Sequence, residues 1–256
     1  MANAVPTGFS FNPFLKRDLF HRFSKPSYQS TLTDNTKVEI KAAATYPAIV
    51  HIGDQIYIRE ADFYLDINDS GRNGIDAGGV AASTLYYLYA IAPNSTSEIQ
   101  NTAFDVVASK SDPATGPYGF SDWSYLGAFF VNSSSQLDKF ISSGGHYGTT
   151  ASLGSVTHNT TSDTAKTITI PTYAEFAMIR SEMTTIGAAG RNGQVRSISG
   201  GAAIAKAVAV TTTESEQSVT WIPIIESKTI YLDVSNADST LTVIPFGWYE
   251  NVHRFK

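Results

Sequence analysis

The sequence predicts an all-β protein: two β-sandwich-like units, jelly-roll or Ig-like, behind an extended N-terminal arm. Three observations lead there. Short apolar or alternating runs recur roughly every ten residues, cut by Gly, Asn, Asp and Ser, the texture of sandwiches and barrels. No segment sustains a long helical period. Charged residues make up 16% of the 256, against about 25% in typical soluble domains, while Ser and Thr together number 55. That composition suits a weakly charged, hydroxyl-rich surface and excludes coiled coils and long acidic-basic helices.

Residues 1–31 form the arm. Lys16, Arg17, Arg22 and Lys25 face a single Asp18 there, although the whole chain carries −5. The arm also holds Phe9, Phe11, Phe14, Phe20, Phe23 and Tyr28, six of the 30 aromatics. Asn12-Pro13 reads as a helix cap and first-turn proline, so a short helix from Pro13 to Phe23 is expected, ending before Lys25-Pro26. So short a segment cannot build its own core. It docks on its own body, on another protein or on a membrane surface. The protein surface is favoured, because aromatic and Arg anchors are what interface cores select. Phe9, Phe11, Phe14, Arg17, Phe20, Arg22 and Phe23 are the expected partner-binding residues.

The first β unit spans residues 32–145. Val38, Ile40 and Ala42 alternate with charged or small residues. Ile49–Ile52, Gln55–Glu60 and Phe63–Ile67 read as three short strands, with Gly53-Asp54 as a hairpin turn. Leu85–Ile91 is a continuous aromatic-aliphatic run, expected to be covered on both faces. Phe104–Ala108 and Tyr125–Val131 follow. The Gly- and Ser-rich stretch Ser142–Ser155 marks the boundary to the second unit, residues 146–256. Its strands are expected at Thr167–Ile170, Gln194–Ile198, Ala203–Val210, Val219–Ile225, Thr229–Val234 and Leu241–Trp248. One segment reads two ways. Thr172 and Glu175 form a capping box before Phe176, Ile179, Met183 and Ile186 at helical spacing. The same residues also allow a strand, Glu175–Met183, with Ala177, Ile179, Ser181 and Met183 on one face.

Gly71–Ala92 (GRNGIDAGGVAASTLYYLYAIA) resembles a recurrent stretch of tailed-bacteriophage virion proteins, a G-x-N-G-[LI]-D-x-G turn leading into a Tyr-rich strand. Gly71, Asn73, Gly74, Asp76 and Gly78 match the turn, and Tyr86, Tyr87 and Tyr89 the strand. Ile75 stands where Leu is usual and Ala77 where Thr is. Tyr118-Gly119, Trp123, Leu126-Gly127-Ala128, Asn132-Ser133-Ser134 and the closing Ile230–Tyr249 extend the likeness in scattered pieces. The resemblance favours the strand reading of residues 175–183. It implies a fibre, spike or decoration component of a virion, whose partners are other virion proteins (capsid, portal or tail). It also implies homo-oligomerisation, with a trimer favoured.

The residues that could carry chemistry are few. Asp66-Ile67-Asn68-Asp69-Ser70-Gly71 opens like a calcium loop, but position twelve is Ala77 and the flanks are not helical, so a turn is expected. His21, His51, His146, His158 and His253 show no ligand spacing. Nucleophile-elbow and phosphate-loop patterns are lacking. Asp62 with Asp66, or Glu214 with Glu216, could pair as in a glycosidase. Tyr86, Tyr87, Tyr89, Trp123, Trp221, Trp248 and Tyr249 include candidates for stacking on sugar, although aromatics in β proteins are mostly core. With zero Cys, disulfides and thiol chemistry are excluded. No apolar run reaches the roughly 18 residues of a membrane span. The negative charge argues against nucleic acid. The N-terminus lacks the order of a signal peptide, so synthesis in the host cytoplasm and residence in the virion are expected. The expectation is a non-enzymatic structural protein without metal or cofactor. A receptor- or glycan-binding adhesin for a host surface is the first competitor and a polysaccharide depolymerase the second.

Overall fold

The computed structural model describes residues 26–53, 55–93, 103–185, 190–209 and 218–250. Among these the protein is all-β, with antiparallel sheets and no helix. The strands are β1 (Tyr28–Ser30), β2 (Lys37–Ile52), β3 (Gln55–Asp66), β4 (Thr84–Ile91), β5 (Asp105–Ser109), β6 (Trp123–Val131), β7 (Phe140–Ser143) and β8 (His146–Thr149). They continue as β9 (Val156–His158), β10 (Thr164–Thr167), β11 (Phe176–Thr185), β12 (Asn192–Arg196), β13 (Ala205–Val208), β14 (Ser218–Pro223), β15 (Thr229–Val234) and β16 (Ser239–Tyr249).

A nine-stranded sheet runs in the order β14-β11-β16-β8-β7-β1-β2-β3, with β9 also paired to β16. Two smaller sheets lie over one of its faces. The sheet β5-β4-β6 packs over the β2–β3 end, and the sheet β10-β15-β12-β13 over the β11, β14 and β16 end. The architecture is therefore sandwich-like at both ends, and the large sheet is common to the two. Gly144 and Gly145, at the expected junction of the units, form the turn between β7 and β8 with φ of 57° and 84°. β7 pairs with β1, and β8 pairs with β16. Hydrogen bonding thus runs without a break from the N-terminal to the C-terminal strands.

Side chains alternate faces along a strand, so paired residues form rows across a sheet. One row reads Phe63, Ile40, Tyr28, Ser142, Tyr147, Trp248, Ala177 and Ile222 from β3 to β14. Every member is buried. Tyr147 stacks on Trp248 with ring centroids 3.8 Å apart. The residues that allow either a helix or a strand in the sequence form β11, with Ala177, Ile179, Ser181 and Met183 all buried. A strand wins because β16 pairs with it along its length and β14 pairs with its first half, Phe176 to Ser181.

Strand edges differ from expectation in places. Ile49–Ile52 is the far end of one long strand, because bulges at Ala43 and before Ala48 let β2 bend without ending. Gln55–Glu60 and Phe63–Ile67 likewise merge into β3. Thr167–Ile170 contributes only Thr167 to a strand, since β10 begins at Thr164 and ends there. The Gly/Ser-rich segment read as a boundary contains β8 and the end of β7. The short helix expected at Pro13–Phe23 lies outside the described residues.

Candidate functional site

The G-R-N-G-I-D turn is a structural joint. Gly71 (φ 82°) and Asn73 (φ 56°) take left-handed conformations. Gly74 packs so closely on the Asp69 backbone that a Cβ there would meet its carbonyl oxygen at 2.5 Å. The turn then hydrogen-bonds to β5: Asn73 N–H donates to Val106 O, Asp76 N–H to Ala108 O, and Ala108 N–H to Gly74 O. Asp105 holds the joint from above, accepting from Arg59 at 3.0 Å and from Arg72 at 3.1 Å. The calcium-like opening is used up internally: Asp66 Oδ1 accepts the Asn68 N–H at 3.0 Å. The motif's two halves meet where Asp76 accepts the N–H of Tyr118 at 2.8 Å.

The carboxylate candidates on β3 are likewise occupied. Asp62 accepts from Lys41 at 2.6 Å and from the Ala42 N–H at 2.7 Å. Asp66 lies 4.0 Å from Lys37. Glu214 and Glu216 lie outside the described residues. Among the described residues no three His, Asp or Glu side chains group as a metal site.

A buried carboxylate ties the residue after β16 to β6. Glu250 accepts from Tyr125 Oη at 2.5 Å and from Trp248 Nε1 at 2.7 Å. Burial, then the Glu250 charge, pushes the Tyr125 hydroxyl well above the usual tyrosine range. Tyr28 shifts the same way for the same two causes. Its hydroxyl donates to Ala128 O at 2.9 Å and so ties β1 to β6.

The candidate site is the opposite, outer face of the large sheet. Directly beside the buried row runs a second one: Tyr64, Glu39, Gln29, Ile141, Gly148, Gly247, Met178 and Trp221, again from β3 to β14. Ile141 is 61% exposed, Tyr64 48% and Trp221 40%. The next row at the β7–β8 turn end places Ser143, His146, Tyr249, Phe176 and Pro223 side by side. The His146 ring lies 4.5 Å from Tyr249 and 5.9 Å, edge-on, from Trp221. Phe176 and Tyr249 sit 6.3 Å apart. Four rings from four strands, β8, β16, β11 and β14, therefore form one patch that no described part of the chain covers.

At the other end, Glu39 accepts from Gln29 at 2.8 Å and from Tyr64 at 3.2 Å, and pairs with Lys41 at 3.1 Å. These contacts hold the Glu39 carboxyl below its ordinary range in spite of partial burial.

Of the aromatic candidates for stacking, Trp221 and Tyr249 reach this patch. Tyr86, Tyr87, Tyr89, Trp123 and Trp248 do not, because all five are buried. His146 and Phe176 complete the patch without standing out in the sequence as stacking candidates. Their signal was the alternation of β11 and the register of β8 against β16, which one strand alone does not reveal. The arm residues Phe9, Phe11, Phe14, Arg17, Phe20, Arg22 and Phe23 lie outside the described residues.

No family model matches the chain, and neither a curated protein nor a solved structure matches it.

Proposed function

We propose that the chain is a non-enzymatic structural component of a tailed-phage particle, in the fibre, spike or decoration class. The arm attaches it to capsid, portal or tail proteins through the residues ahead of the sheet, 1–25, because Tyr28–Ser30 at its expected end are the strand β1. The sheets project from that anchor as a homo-oligomer, a trimer first. The observation that carries the reading is the outer face of the nine-stranded sheet. It is broad, weakly charged and aromatic at one end, and its polar groups hydrogen-bond to one another. Such a face suits contact with a partner. The virion-like motif supports the same reading, because its turn and its Tyr-rich strand serve one structural joint.

Deleting residues 1–25 tests the anchor. The truncated protein should fold and fail to enter particles. Normal occupancy by the truncated chain would contradict the anchor.

A second reading, a receptor- or glycan-binding module, is favoured by the clustering of Trp221, Tyr249, His146 and Phe176 at one end of the sheet.

A further inference from the structure

The outer face has a shape as well as a chemistry. Gly148 and Gly247 stand side by side at its centre, on β8 and β16. Met178 lies over Gly247, where an added Cβ would meet its methyl carbon at 2.9 Å. A Cβ on Gly148 would meet nothing within 4 Å. The floor is therefore open at Gly148. Ile141 borders it on β7, Met178 on the β11 side, and the His146–Tyr249 pair at the turn end. The Trp221 indole reaches back over β11 and β16 toward His146.

The charges on this face are compensated. Glu39 is paired with Lys41, and Arg180 with Glu182 at 2.8 Å. A nucleic acid or an acidic peptide would need a basic stripe, and a basic peptide an acidic one. An uncharged ligand with an apolar face and a hydroxylated edge matches aromatic rings beside planar hydrogen-bonding groups. A pyranose ring is such a ligand. The Trp221 ring reaches His146 on β8, and strands about 4.8 Å apart put β8 roughly 19 Å from β3, which carries Tyr64, room for a few linked rings.

We infer that the outer face is a binding platform for an uncharged oligosaccharide. The glycan crosses the strands, with one ring on the Gly148 floor against His146, Tyr249 and Trp221. The next rings pass Ile141 toward Gln29, Glu39 and Tyr64. The inference rests on the reading of this face as a contact surface, and it names the partner.

The test uses the full chain and a panel of neutral hexasaccharides (maltohexaose, cellohexaose, mannohexaose and chitohexaose), with a hyaluronan hexasaccharide as the acidic control. Binding is followed by calorimetry and tryptophan fluorescence. At least one neutral sugar should bind. Trp221→Ala should weaken it about tenfold or more. Gly148→Val fills the floor with a residue that strands favour and should abolish binding at an unchanged melting temperature. Failure of the whole panel to bind would overturn the inference, as would tighter binding of the acidic control. So would a drop in solution mass in either variant with sugar affinity intact, because a second copy would then cover the face. Particle occupancy of Gly148→Val is read separately. Normal occupancy with lost sugar binding supports the inference and leaves the anchor untouched. A wild-type chain absent from particles refutes the virion reading whatever the sugars do.

Discussion

Tyr28 shows how much a single side chain joins. It sits in the buried row of the large sheet, meets Phe140 edge-on at 6.1 Å, and bonds to Ala128 on β6. Gly127 makes room for it, because a Cβ at that position would lie inside the Tyr28 hydroxyl. β6 also bulges here: Leu88 pairs with Gly127, but Tyr89 pairs with Tyr125. Gly127→Ala should therefore cost about 2–3 kcal/mol by overpacking, read as a lower urea midpoint with an unchanged slope. Tyr28→Phe removes the hydroxyl and leaves the Ala128 carbonyl without that donor. Its cost should be about 1–2 kcal/mol. At Glu250, Tyr125→Phe removes one donor from a buried carboxylate, and a loss of about 1–3 kcal/mol is expected in the same assay. A loss below about 0.5 kcal/mol would mean that water or another group replaces the phenol there.

At the scale of elements, the G-R-N-G-I-D joint is the clearest dependence of structure on particular residues. Asn73 adopts positive φ, and its side chain reaches both Asp105 (3.3 Å) and the Val106 N–H (3.2 Å). Asn73→Ala should cost about 1–3 kcal/mol, and Asn73→Gly less, since glycine keeps the backbone and loses only the bonds. Equal losses would place the whole effect in the side chain. The joint was legible in the sequence because its Gly and Asn punctuation is local. So were Thr229–Val234, where alternation is clean and β15 occupies those residues, and the long core run in β4. The large sheet was not. β1, β7, β8 and β9 are each three or four residues long. They are too short to show a period, and β8 sits among glycines that read as a linker. They become strands through neighbours distant in the chain, which is tertiary pairing overriding local signal. For the same reason the outer patch was only half visible. Trp221 and Tyr249 declare themselves as aromatics, but their neighbourhood depends on the pairings β8·β16, β16·β11 and β11·β14.

For the molecule as a whole, burial of phenols dictates a response to alkali. Burial pushes the hydroxyls of Tyr28, Tyr89, Tyr125 and Tyr147 above the usual range, with the Glu250 charge adding to the effect at Tyr28 and Tyr125. Folding thus favours the neutral phenol. The contribution is complete below about pH 10, the pKa of the unfolded tyrosine. It is lost as pH rises toward the folded values, because the unfolded chain releases protons first. Urea midpoints should be level from neutral pH to about 9 and fall steeply above about 10. A flat profile to pH 11 would show the phenols to be accessible. The exposed pairs Asp34–Lys37 and Lys41–Asp62 should matter little in comparison. The solution mass bears on the same scale. A trimer at three times the 27.6 kDa chain mass agrees with a self-assembled fibre or spike, and a monomer with a decoration subunit completed by its neighbours.

The measurement that tests the account most directly is quantitative mass spectrometry of density-purified particles from a host producing the chain. The account predicts this chain at a fixed copy number per particle, lost when residues 1–25 are removed. Recovery only in the soluble fraction, with particles complete and infectious without it, would contradict it.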